Sequence, residues 1–329
     1  TLLGAIIAIE GDPNEAMDLF HQAIDADPEY VDAFLHAAEV ALGTLNDADL
    51  TLQLCDEAKD LVPDDSEEAS AIALLSAEAH LASENVDAAR RVLAKLPSPP
   101  SSDPVRTIHM AAILIDVEEP ARAIEILAPI VEDPSLSADV HYYLGAAHQV
   151  AGDPREALVH HLAAHDLDRK ASPPPWSPSA EDFSKIVDKV LGLLAEGYDE
   201  NLGKLPLRVA DRPPFELICD GVDPRARVFL ASLPTLTEEP DAIPPAPQRP
   251  RRVNSKNSKK LAKPTTPAMF KQEIAGIVVY KRNLENVAAS AEEVPRVLFA
   301  SLVDEIFFFR DLDDDTLDTL LTLGEQLVP

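Results

Sequence analysis

At 329 residues and 46% hydrophobic content, the chain is long enough for two domains and too apolar to be disordered throughout. Its 58 acidic residues against 28 basic ones leave a net charge of −30, which argues against non-specific binding of the whole chain to nucleic acid or an anionic membrane. Aromatics at 5% favour closely packed helices over a β-sandwich, and two isolated cysteines, Cys55 and Cys219, speak against a disulfide framework or a CxxC metal site.

A reducing, cytoplasmic setting fits that cysteine usage. The sequence has no apolar run of membrane-spanning length and no signal-peptide pattern. It opens at Thr1 inside a helical pattern, so upstream sequence is expected to be missing.

Ala16, Phe20, Ala23 and Pro28 set out a small, large, small, proline spacing that returns 35 residues on as Thr51, Cys55, Ala58 and Pro63. It continues in Ala89, Leu93 and Leu96, in Ala123, Leu127 and Ile130, and in Ala157, His161 and Ala164. Twelve residues before the alanine anchors stand Gly4, Ala77, Ala111 and Gly145; in the second unit Ala38 precedes Thr51 by thirteen, an insertion of one residue. Each unit is predicted to be two antiparallel helices that approach closely at the small residues. Turns such as Gly11-Asp12-Pro13 and Gly152-Asp153-Pro154 join them.

These shared offsets resemble tetratricopeptide repeats over roughly residues 1–170. The resemblance implies an α-helical solenoid of stacked helix pairs, the first helix of each pair lining a concave face. In that register Leu35, Glu39, Leu42, Leu74, Glu78, Leu81, Ile108, Ile115 and Tyr142 line an apolar groove with acidic spots. Members of the family that grip a C-terminal carboxylate place Lys, Arg and Asn there, and this sequence places none. The partner implied is a protein, through an apolar or basic peptide or helix laid in the groove. The same leucines would equally suit packing against neighbouring units or the C-terminal domain.

Five histidines fall in the last unit: His141, His148, His160, His161 and His165. His161 and His165 have a helical spacing that a metal tolerates. Yet no Glu follows His161 as it would in His-Glu-x-x-His, and His161 takes the packing position held by Phe20 in the first unit. No metal or other cofactor is expected there.

Ala171–Pro178 is proline-rich and marks the expected linker between residues 1–170 and a second domain over 179–329. Phe183, Ile186, Val187, Val190 and Leu194 predict a helix over Ala180–Leu194, capped by Ser179 or Ser177. Leu205–Ala210, Val228–Leu233 and Ile274–Tyr280 read as strands, and Glu292–Phe309 and Thr316–Gln326 as helices, giving a small α+β domain. Between the last two strands, residues 234–267 form an insertion with Arg249, Arg251, Arg252, Lys256, Lys259, Lys260 and Lys263. A disordered basic loop is expected. Binding of nucleic acid through it is the alternative, though no aromatic residue interleaves the charges for base stacking.

The order of helix, strand, "GVDPRA", strand, "IVVYKRNLENV" and helix over roughly residues 178–327 resembles a family of minimal bacterial zincin-like metallopeptidases. The resemblance implies a helix bearing His-Glu-x-x-His, a glycine three residues on and an acidic ligand three further, with zinc on the histidines and the Glu activating water. Here those positions hold Asp304, Glu305, Phe308, Asp311 and Asp314. A phenyl ring has no lone pair to donate, so Phe308 ligates nothing and zinc loses both imidazoles. The "GVDPRA" segment departs as well, continuing as Arg227-Val228-Phe229 where the family has Leu-Gly-Leu-aromatic.

The acidic run of residues 311–315 admits a hard-cation reading, since Asp311, Asp313 and Asp315 are spaced like the start of an EF-hand loop. Thr316 and Thr322, however, stand where Gly and a bidentate Glu belong. Capping the last helix is the alternative. No His follows His165 to activate Cys219, and no GxSxG, P-loop or Rossmann glycine pattern occurs. The function expected is a non-catalytic scaffold or adaptor with an inactive metallopeptidase-like domain as a second docking surface. A peptidase with a relocated metal site and nucleic-acid binding through the basic loop are the alternatives.

Overall fold

The computed structural model describes residues 1–10, 12–96, 103–233, 273–309, 314–325 and 327. Among these the chain is mostly helical with one three-stranded sheet, and it divides into two compact units, Thr1–Ala164 and the part from His165 onward.

The first unit runs through α1 (Leu2–Glu10), α2 (Pro13–Ala26), α3 (Val31–Gly43), α4 (Ala48–Lys59), α5 (Glu67–Ala82), α6 (Val86–Leu93), α7 (Pro104–Asp116), α8 (Pro120–Leu127), α9 (Ser137–Val150) and α10 (Pro154–Lys170), whose last turns belong to the second unit. One local device closes each pair. A backbone N–H at the start of the second helix reaches back to a carbonyl of the first: Asp12 to Ile7, Asp47 to Ala41, Asn85 to His80, Glu119 to Leu114 and Asp153 to His148, at 2.8–3.2 Å. The reach is five residues in four pairs and six in the second, where the sequence carries its extra residue.

Asp12, Asp47, Asn85 and Asp153 then cap the second helix through side-chain oxygens. Just before the cap the chain turns left-handed, at Asn46 (φ 58°), Glu84 (φ 59°), Glu118 (φ 60°) and Gly152 (φ 80°). Gly11, the matching residue of the first pair, lies outside the described residues.

Within pairs, small residues admit large ones. A Cβ on Gly4 would sit 2.8 Å from the Phe20 ring, and one on Gly145 would sit 2.1 Å from His161, the same sequence offset in the first and last pairs. Ala77 and Leu93, and Ala111 and Leu127, share that offset and are all fully buried. In the second pair the Thr51 hydroxyl approaches the Ala38 carbonyl at 3.5 Å. Consecutive helices pack together from α1 to α6 and from α7 to α9, and α3, α5, α7 and α9 also pack each on the next. Two cores result, one around Phe20, Phe34 and Leu54, the other around Leu93, Met110, Leu114 and Leu127.

The second unit contains α11 (Ala180–Gly197), β1 (Leu207–Ala210), α12 (Phe215–Cys219), β2 (Val228–Leu233), β3 (Glu273–Tyr280), α13 (Lys281–Glu285), α14 (Val294–Phe309) and α15 (Asp314–Glu325). Strand order is β1-β3-β2, with β1 parallel and β2 antiparallel to the central β3. The core joins Phe183, Val187, Val190 and Leu194 of α11 to Leu298, Leu302 and Ile306 of α14 and to Val228, Leu230, Ile277 and Val279 of the sheet. Ser179 is the α11 cap.

The predicted first strand starts two residues late. Pro206 has no N–H for a ladder, and Leu205 packs on the core. The helix expected from Glu292 begins at Val294, and the Glu293 carboxylate instead accepts from the Ala289 N–H. The short helices α12 and α13 were not predicted; at five residues each they are below the length at which periodicity is readable. The insertion of residues 234–267 lies outside the described residues.

Candidate functional site

The two motif segments of the second unit meet through side chains. "GVDPRA" is a turn with local causes: Gly221 adopts φ 94° to end α12, and the Asp223 carboxylate accepts from the Arg225 N–H at 2.8 Å. Buried Asn283, in the second motif, donates to the carbonyls of Pro224 (3.0 Å) and Ala226 (2.7 Å), while its oxygen accepts from Arg212. Arg225 makes a two-pronged pair with Asp168 at the end of α10, at 2.8 and 3.1 Å. Glu285, buried, accepts from the Ser177 hydroxyl at 2.6 Å and from Arg282 at 3.1 Å, with the Lys281 ammonium at 3.5 Å. Lys281 also donates to the Pro178 carbonyl, and Trp176 packs on the core. The proline-rich segment is therefore bound to the second unit. Its serine and carbonyl satisfy a buried charge network.

The helix expected to carry the degenerate metal motif is α14. Asp304 and Glu305 are half-buried on it. Phe308 lies in the helix and Asp314 starts α15, but their side chains, and Asp311 and Asp313 altogether, lie outside the described residues, as does the Asp315 side chain. Among the described residues no group of three His, Cys, Asp or Glu side chains is arranged to hold a metal ion.

The expected groove residues separate into two sets. Leu74, Ile108 and Ile115 are core residues at 1%, 9% and 2% exposure, which corrects the expectation that they line an open groove. The physical reason is the packing of α5 on α7 and of α7 on α9: in so tight a stack these positions face the next helix, not a ligand. Leu35, Leu42 and Leu81 are partly buried against the cores, Glu39 is exposed, and Glu78 and Tyr142 are half-buried.

Sequence reasoning missed a polar ladder on the same helices. Glu78 of α5 contacts His109 of α7 at 2.7 Å. Burial alone would lower the His109 pKa, but the hydrogen bond and charge of Glu78, with Glu39 of α3 adding to them, hold it above its ordinary value. Arg106 and Glu67 pair alongside. A signal existed in the sequence, since His109 falls 31 residues after Glu78, close to one repeat.

The histidines of the last pair are packing groups. His141 and His160 share an Nδ1–Nδ1 hydrogen bond of 2.9 Å, and His148 stacks on His160 with ring centroids 5.4 Å apart. Burial lowers the pKa of both His141 and His160, and for His160 the neighbouring histidines add to the effect. His161 fills the space over Gly145 and lies 6.2 Å from the Tyr142 ring. His165, in the second unit, hydrogen-bonds the Pro213 backbone.

Compared with known proteins, the chain matches no family model and no curated sequence. No helix among the described residues is long and apolar enough to cross a membrane.

Proposed function

We propose that this chain is a non-catalytic protein-binding scaffold: a tetratricopeptide-like solenoid followed by a domain built on a zincin-like template without its metal-binding histidines. The observation that carries the reading is the line-up of α3, α5, α7 and α9, each packed on the next, which sets Glu39, Glu78 and the partly exposed Leu35, Leu42 and Leu81 along successive first helices. An acidic surface with apolar patches suits a basic amphipathic helix or peptide, whose charge would also be steered by a chain of net charge −30. Leu74, Ile108 and Ile115 have no part in it.

For the second domain, the support is that its motif residues are spent on structure. Asn283, Glu285 and Arg225 hold the turns together, and Phe308 cannot ligate. We read this domain, with the proline-rich segment bound to it, as a second docking surface.

The test uses the full chain. Saturable binding of basic amphipathic helical peptides, measured by fluorescence anisotropy, should weaken at least about tenfold in Leu42→Glu and Leu81→Glu, and binding that survives both changes would remove the groove. Stoichiometric zinc that co-purifies with peptidase activity, both abolished in Glu305→Gln, would instead make the chain an enzyme.

A further inference from the structure

A cavity of about 370 Å³ opens in the second unit between the last turn of α10, the turn after β1 and the start of α13. Arg169, Arg212, Arg282 and His165 line it, with Phe215 and Pro213 as an apolar wall. In a chain with twice as many acidic as basic residues, three arginines on one cavity need an explanation.

Most carboxylates near them are already engaged. Asp168 gives both oxygens to Arg225, and Glu285 is shared by Lys281, Arg282 and Ser177. Asp166 holds Lys170 at 2.6 Å and Arg169 at 3.6 Å. Asp211 lines the cavity too, but it is exposed and its backbone carbonyl serves the Arg282 N–H.

Half-buried Arg212 makes no ion pair among the described residues, and its partner is the neutral amide oxygen of Asn283. Asn283 cannot turn away, because its amine is committed to two carbonyls. The guanidinium is thereby held in place with no carboxylate in contact among the described residues. Burial and the nearby charges of Arg225 and Arg282 lower the Arg212 pKa, against the opposing pull of Asp168 and Asp211. Three arginines and a histidine thus face two aspartates around the cavity, and one of those aspartates is already paired with Arg225. His165 is fixed by its contact with the Pro213 carbonyl, and its pKa is lowered by burial first and by Arg212 and Arg169 as well.

We propose that this cavity binds a small oxyanion-bearing molecule, its carboxylate or phosphate taken by Arg212 and Arg282 and its apolar body resting on Phe215. A planar guanidinium fork suits either group, and a preorganised one loses little on binding. Phe215 is 56% exposed, a large apolar surface left beside the cations and one that an organic ligand would cover.

The inference rests on residues the scaffold reading does not use, so each can fail without the other. The full chain is titrated calorimetrically with inorganic phosphate in one arm and citrate in another, against potassium chloride at matched ionic strength. Saturable one-to-one binding in either arm is expected, phosphate or citrate alone identifying the head group. Arg212→Gln should weaken it at least about tenfold.

Arg212 also supports Asn283, so Arg169→Gln is the second variant. Its side chain is 71% exposed, and its removal should weaken binding by about threefold or more while leaving unfolding unchanged. No saturation in either arm, heats that chloride reproduces, or unchanged affinity in whichever variants fold would overturn the proposal.

Discussion

Replacing Gly145 by Ala sets two opposed effects of known size against each other. In a helix interior the change is worth about 1 kcal/mol in favour of the folded state by propensity alone. At this position the new methyl would lie 2.1 Å from His161 Cδ2 and 2.6 Å from Nε2, far inside the roughly 3.5 Å of ordinary carbon contact. His161 cannot swing freely, since α9 backs it and the Tyr142 ring flanks it. Overpacking of this kind costs about 1–3 kcal/mol, so the net expectation is a loss of about 0–2 kcal/mol.

Gly43→Ala is the control, because a Cβ there meets nothing within 4 Å and only the propensity gain, up to about 1 kcal/mol, remains. In a His161→Ala background the clash is gone, and Gly145→Ala should turn from destabilising to stabilising. Urea unfolding followed by circular dichroism gives the cycle directly. If Gly145→Ala stabilises the wild-type chain as Gly43→Ala does, α9 and α10 do not meet at this point, and the paired-helix geometry drawn from the repeat offsets is wrong.

Glu84 and Glu118 occupy left-handed backbone that costs an L-residue about 1 kcal/mol, so Glu84→Gly and Glu118→Gly should each raise stability by about 0.5–1 kcal/mol in the same unfolding assay. Glu118→Gly also removes the ion pair with Arg90, but at 3.8 Å and on an exposed carboxylate that pair subtracts little. Asn283→Ala strands two carbonyls and Arg212, and should cost about 2–4 kcal/mol, read as earlier unfolding of the second unit by hydrogen exchange. The histidines make stability pH-dependent in two directions. His141 and His160 have folded pKa values below the unfolded value of about 6.5, so the unfolded chain binds more protons and stability falls as pH drops below that value. His109, held above it, contributes stability at low pH that disappears as pH rises through its folded pKa. Against wild type, His141→Gln should therefore flatten the decline between pH 7 and 5, and His109→Gln should steepen it.

What was legible in the sequence follows from which interactions leave a periodic trace. Ala16, Ala89 and Ala123 recur at fixed spacing because a helix pair repeats, and they are fully buried. The extra residue before Thr51 reappears as the longer reach from Asp47 to Ala41. The strands Val228–Leu233 and Ile274–Tyr280 were readable from β-branched runs that fill a core. Two of the five turns were readable because they hold Gly. The turns at Asn46, Glu84 and Glu118, left-handed like that at Gly152, carry no glycine to mark them.

Burial within the stack was the larger failure. Leu74 and Leu81 look alike in a register diagram, yet one is interior and the other borders solvent, and only the crossing of α5 with α7 decides between them. The cavity was invisible for a further reason. Its arginines sit at 169, 212 and 282, on three segments with no shared pattern, and what distinguishes Arg212 is that it makes no ion pair among the described residues, which no sequence displays.

In the second unit the polar ties are harder to replace than the apolar positions. An apolar position on a helix such as α14 accepts another apolar side chain of similar volume at a cost under about 1.5 kcal/mol. Loss of Asn283 or Glu285 would leave carbonyls, or a hydroxyl and two half-buried cations, without their partner, at about 2–4 kcal/mol for either residue. Substitution of Asn283 or Glu285 is therefore expected to be tolerated less well than apolar exchange elsewhere in this unit.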